Sequence, residues 1–139
     1  MNDQINHEVH WSFWAIAVVG LLFNLMGCVN FLSQMSPEMV ASMPEAYRAI
    51  VETRPAWATG AFALAVFGGA IGAILLLLKK SMAYYLFIAS LVGVVGAQLP
   101  FFGIEDFPSE AMAGWVSQVV VGAFLLRYTK FADRKGWVG

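Results

Sequence analysis

Hydrophobic positions fall in four long blocks along the chain, separated by short polar stretches. The cleanest block is 57–78, WATGAFALAVFGGAIGAILLLL, 22 residues without a charge, closed by Lys79-Lys80. At about 1.5 Å per residue it reaches about 33 Å, enough to cross a hydrocarbon core of about 30 Å. A first block occupies 11–33 and opens with Trp11 and Trp14, an aromatic belt at a membrane face. A third occupies 82–99, with Pro100 just after it. The fourth, 109–128, is opened by Pro108 and Glu110, and its uncharged part, 111–126, has only 16 residues. That is about 24 Å, so this block spans with help from snorkelling at Tyr128 and the flanking charges, or from local thinning of the bilayer. The pattern predicts an all-α membrane protein, a four-transmembrane-helix bundle forming a single domain over 1–139.

The connections carry their own signals. Residues 34–56 form the longest one. Ser36-Pro37-Glu38 is a helix start, with proline at the first position and an acid in the first turn. Met39, Val40, Met43, Tyr47, Ile50 and Val51 recur at helical spacing. This predicts a short amphipathic helix over about 37–53 in the first outer loop, lying on the membrane or capping the bundle, split at Pro44 and ended by Pro55. Lys79-Lys80-Ser81 reads as a tight turn. Residues 100–109 read as a loop carrying Glu105 and Asp106, and the tail after Tyr128 is basic.

Charge sets the expected topology. Six of the eight lysines and arginines lie in the second turn (Lys79, Lys80) and the tail (Arg127, Lys130, Arg134, Lys135). Arg48 and Arg54 sit in the first loop beside Glu38, Glu45 and Glu52. The positive-inside rule then places the turn and both termini in the cytoplasm, with the first and third loops outside. The first ten residues lack the basic region of a secretory signal, so the first block is expected to be a retained span.

Composition fits a lipid environment: 60% of residues are hydrophobic and 12% charged, about half the charged fraction of a soluble domain. The bilayer is thus the first expected partner. A net charge of −1 without a basic arm argues against nucleic acid. Cys28, the single cysteine, lies in an apolar segment and reads as a small core residue. His7 and His10 are a weak metal signal with nothing to complete a site, so no metal and no cofactor are expected.

Small residues mark packing faces. Ala61, Ala65, Gly68 and Gly72 step by 4, 3 and 4 along the second span, and Gly68-x-x-x-Gly72 lets two backbones approach closely. Gly93 and Gly96 in the third span, and Gly27 in the first, offer the same. These stripes serve packing within the chain, homodimerisation, or both.

Polar groups inside the spans carry the candidate chemistry. At 100° per residue, Gly20, Phe23, Asn24, Asn30, Phe31 and Gln34 all lie within about 60° of Gly27, giving the first span one amide-rich face. Asn24 lies about 20 Å in from Trp11, Gln98 about 27 Å from Lys80, and Gln118 about 12 Å from Glu110. Asn30, Gln98 and Gln118, with Ser117 nearby, therefore fall at similar height in the outer half, with Asn24 below. Two readings stand: interhelical glue, worth about 0.6 kcal/mol per hydrogen bond on average, or a polar cavity opening outward. In the second, Asn24, Asn30, Gln34, Gln98 and Gln118 would bind a ligand, with Trp57 and Phe31 as apolar walls. Glu105, Asp106 and Glu110 form an acidic lip, most simply a solvated loop. No acidic, basic or histidine side chain lies in the hydrophobic part of any span, so proton relay and general acid–base catalysis lack their groups. An enzyme is not expected and no catalytic residues are assigned.

Taken together, Phe23-Asn24-Leu25-Met26-Gly27, Pro55-Ala56-Trp57, Ala65-Val66-Phe67-Gly68-Gly69 with Gly72, Lys79-Lys80, and Ser90-Leu91 leading to Gln98 resemble a family of small four-span bacterial inner-membrane proteins often labelled sugar transporters. The resemblance implies a bacterial inner-membrane location and a neutral polar ligand. The first functional expectation is binding or transport of a small uncharged polar solute, by at least a dimer. The alternative is a structural or accessory membrane subunit whose amides only hold helices together.

Overall fold

The computed structural model describes residues 9–103 and 107–139. His7, Glu105 and Asp106 lie outside the described residues. Among those described there is no strand, and four helices are long and apolar enough to cross a membrane. The chain is therefore an all-α, multi-pass membrane protein, as its hydrophobic pattern requires.

Helix α1 runs Trp11–Gln34, and His10 caps it by accepting the Ser12 N–H on Nδ1 at 3.2 Å. The first connection folds as two short helices, α2 (Pro37–Ala41) and α3 (Glu45–Thr53). Ser36 caps α2, Pro44 separates the pair, and Pro55 sets the start of the next helix. Helix α4 is Ala56–Leu77, α5 is Ala83–Gln98 followed by a 3-10 turn at Leu99–Phe101, and α6 is Ser109–Arg134.

The helix that carries the fourth block continues past 128. Leu125, Thr129 and Ala132 are buried at helical spacing, so the helix keeps an inward face to pack beyond the lipid-exposed stretch. It reaches Arg134, 26 residues or about 39 Å, though the added turns carry Arg127, Lys130, Asp133 and Arg134 and leave the uncharged part at 111–126.

Helix α4 is the centre. It packs on α1 along one side and on α5 along the other, while α6 leans mainly on α5. Every small residue predicted to pack does so inside the chain. A Cβ added at Gly93 would meet the Ala61 carbonyl oxygen at 2.5 Å and the Ala65 nitrogen at 2.7 Å, so α5 lies directly on the α4 backbone there. Gly96 faces Ala61, while Gly68 and Gly72 face Leu86, Phe87 and Ser90. Gly27 faces Val66 across the α1–α4 contact. Lipid tails are as apolar as these side chains, so close van der Waals packing and interhelical hydrogen bonds hold the bundle, not water exclusion. Two such bonds are buried: Ser90 Oγ donates to the Ala65 carbonyl at 2.6 Å, and Cys28 Sγ to the Val66 carbonyl at 3.4 Å.

The basic end is closed. Phe13, Ala17, Ala73, Leu76, Ala83, Phe87, Leu125, Ala132 and Val138 form one buried cluster. Helix α4 ends in a Schellman turn, with Lys79 N–H on the Leu76 carbonyl, Lys80 N–H on the Leu75 carbonyl, and Lys79 at φ 61°. Helix α6 ends the same way with Gly136 at φ 78°. The tail then pairs with the turn: Gly139 N–H donates to the Lys79 carbonyl and Ser81 N–H to the Gly139 carbonyl. The two basic segments thus sit at one end of the bundle, beside the start of α1, where Lys79 Nζ lies 5.7 Å from the Trp14 ring centre.

Candidate functional site

At the opposite end the bundle opens. Asn30 and Gln34 are one turn apart on α1 and share a face. Gln98 is the last residue of α5. Glu110, Ala111, Gly114, Trp115 and Gln118 recur at helical spacing on α6. Tyr47, Ile50, Val51 and Arg54 do so along and just past α3, which closes over the opening. Together these residues, with Phe23, Met26, Phe62, Val94 and Phe101, line a cavity of about 660 Å³.

Four of the predicted ligand residues, Asn30, Gln34, Gln98 and Gln118, are in this lining. Three are not. Asn24 lies one level lower, 7% exposed, donating Nδ2 to the Gly20 carbonyl of its own helix at 2.8 Å. Its Oδ1 lies against Gly69, where a Cβ would strike it. At that depth α1 faces α4, so Asn24 is a packing residue under the cavity floor. Phe31 turns toward α4, edge-on to Phe62 at 5.3 Å and Phe67 at 5.6 Å between ring centres. Trp57 stands at the start of α4, 57% exposed, away from the lining.

The feature missed in the sequence is Arg54. Counted there only for topology, it follows Ile50 and Val51 at the spacing that carries it onto the same face of α3. Its guanidinium lies 5.0 Å from the Phe62 ring centre, and its NH1 donates to Gln34 Oε1 at 2.8 Å. Gln34 Nε2 in turn reaches Asn30 Oδ1 at 3.5 Å. Because guanidinium only donates, it fixes the direction of the relay: each amide oxygen is used, and the Asn30 amide nitrogen is left at the free end. Two further buried nitrogens, Arg54 Nε and Gln98 Nε2, have no hydrogen-bond partner among the described residues. Gln98 is only 5% exposed. Burial lowers the Arg54 pKa from its usual value. At the rim, Tyr47 donates its hydroxyl to Glu110 Oε2 at 3.3 Å. Burial, then the Glu110 charge and this hydrogen bond, raise the Tyr47 pKa. Trp115 is held by its Nε1–H on the Val94 carbonyl at 3.0 Å.

Among the described residues no three His, Cys, Asp or Glu side chains cluster. The lining presents amides, one guanidinium and aromatic rings, groups that bind by hydrogen bonding and stacking. An unpartnered buried donor nitrogen costs about 1–3 kcal/mol, so Arg54 Nε and Gln98 Nε2, both shut off from solvent, are a local cost carried by this end of the bundle. The fold and cavity together define a four-span membrane protein with a chamber at one end whose largely apolar walls carry a few amides, one guanidinium and one carboxylate. Comparison with family models, curated proteins and solved structures finds no match to the chain.

Proposed function

We propose that this membrane protein binds a small polar solute in the chamber roofed by α3, as the binding step of transport. The observation that carries the reading is the gathering of Asn30, Gln34, Arg54, Gln98 and Gln118 in the lining of one cavity. The volume is within the range of about 300–1,000 Å³ typical of small-molecule sites. Arg54 is the reason the proposal is not restricted to uncharged solutes: it brings a cation from outside the spans into a chamber where the spans supply amides, apolar side chains and, at the rim, Glu110. The reading assigns no catalytic step.

Orientation follows from the lysines and arginines gathered at the closed end, which favour a cytoplasmic position for both termini and an outward-facing chamber. The resemblance given above supports a bacterial inner membrane. Below the chamber the layer of Asn24, Cys28, Val66, Ala70 and Ser90 is packed, so passage requires this layer to part. A chain this short is expected to work with a second copy, and that contact would use a face other than the glycine stripes spent inside the bundle.

Sugars, polyols, amino acids and small organic acids, added to the detergent-solubilised protein, provide the test by thermal unfolding. A true ligand at 100 times its Kd stabilises by about 2.7 kcal/mol, and Gln98→Leu should abolish the response. If none of these solutes, and no long-chain carboxylate, shifts the transition, the binding reading fails and the accessory-subunit reading takes its place.

A further inference from the structure

A second cleft lies below the chamber on the same seam. It measures about 280 Å³ and is lined by Ala15, Ile16, Val19, Gly20 and Phe23 of α1 and by Val121, Phe124 and Leu125 of α6. No charged or amide side chain is among them. Phe23 belongs to both linings, so the chamber and the apolar cleft are neighbours on this seam. The seam exists because α1 and α6 touch over a much shorter stretch than the other neighbouring helices, chiefly where Leu125 lies against Gly20. From Asn30 down to Ala15 is 15 residues of α1, about 22 Å of depth.

Polarity is therefore graded along one path. At the top are the amides of Asn30, Gln34, Gln98 and Gln118 and the Arg54 guanidinium. At the bottom is a surface fit only for hydrocarbon. We propose that the ligand is a single-chain amphiphilic acid, a fatty-acid-like molecule. Its carboxylate is held by Arg54 and Gln98, and its chain lies in the α1–α6 cleft. It enters sideways from the bilayer through the seam. Guanidinium is the side chain best matched to a carboxylate, and Arg54 is the one cationic side chain among the described residues of the lining. Glu110 does not oppose this, because it is exposed to solvent at the rim and already accepts from Tyr47. This inference rests on the solute-binding reading and names the class of solute.

The test is photocrosslinking in nanodiscs with a long-chain carboxylic acid carrying a diazirine in its chain, beside the matched long-chain alcohol. Adducts are mapped by mass spectrometry. The acid should label residues 15–23 and 121–125. Excess unlabelled acid should compete that labelling away. Arg54→Gln should reduce it at least tenfold, while Arg54→Lys, which keeps the charge and serves as the folding control, retains a substantial part. The alcohol should not mark the cleft selectively. Bulk lipid contact would instead label Ile71, Val92 and Val120, exposed elsewhere on the bundle, as strongly as the cleft. Cleft labelling that resists competition, or survives Arg54→Gln unchanged, overturns the proposal. A thermal response to short polar solutes alongside that result would leave the binding reading standing and remove only the amphiphile.

Discussion

Gly93→Ala against Gly68→Ala separates true backbone contact from mere small-residue patterning. Both glycines belong to stripes that look equivalent in sequence. Alanine gains about 1 kcal/mol over glycine in a helix interior at either site. At Gly68 the new methyl would find its nearest neighbours at 3.7 and 3.8 Å, ordinary contact distances, so the gain is kept. At Gly93 it would meet the Ala61 carbonyl oxygen at 2.5 Å, the Ala65 nitrogen at 2.7 Å and the Ala65 Cα at 3.2 Å, all backbone. No side chain can rotate away, so α5 must lift off α4. Overpacking costs about 1–3 kcal/mol, and rigid partners put this case near the top. The net expectation is a loss of about 2 kcal/mol for Gly93→Ala and a gain of up to about 1 kcal/mol for Gly68→Ala. Denaturant titration in detergent, followed by tryptophan fluorescence, measures both. Equal stability of the two variants, or a larger loss at Gly68, would refute the α4–α5 geometry.

Other expectations concern the closed end. Lys79 occupies the left-handed position of a Schellman turn, so Lys79→Gly should be about 1 kcal/mol more stable than Lys79→Ala, both having lost the ammonium near Trp14. Equal melting of the pair would contradict that turn. Val138 is 6% exposed within the basic-end cluster, so Val138→Ala should cost about 1.5 kcal/mol in the same titration. An unchanged midpoint would mean that the tail does not dock.

The spans were legible because lipid imposes one demand, a long uncharged helix, and the residues state it directly. Helix ends were less so. Pro37, Pro44 and Pro55 mark theirs openly, but α6 runs past 128 because its inward face continues through Leu125, Thr129 and Ala132 while its outward face turns basic. No average over the two faces reveals that. The amides show a similar limit. A helical wheel puts Asn24 and Asn30 on one side of α1, yet what that side faces changes with depth: α4 at Gly69, open chamber higher up. The same turn of the path sends Phe31 toward Phe62 and Phe67. Arg54 was visible as the next position on the face of Tyr47, Ile50 and Val51. It escaped because a charged residue just before Pro55 reads as a loop residue, and only the fold brings that face over Gln34.

The division between a packed amide and a binding amide is tested most directly by the stabilities of Asn24→Leu and Gln98→Leu, without ligand, against wild type. Both changes put an apolar side chain of similar size in a buried position. Asn24 is buried and hydrogen-bonded to its own helix, so its loss should lower stability by about 0.5–1.5 kcal/mol. Gln98 Nε2 has no partner, so Gln98→Leu should leave the protein as stable as wild type or more so, by up to about 1–3 kcal/mol. A Gln98→Leu protein that melts below wild type by as much as Asn24→Leu would show that both amides hold helices together, and the chamber would lose its claim to be a site.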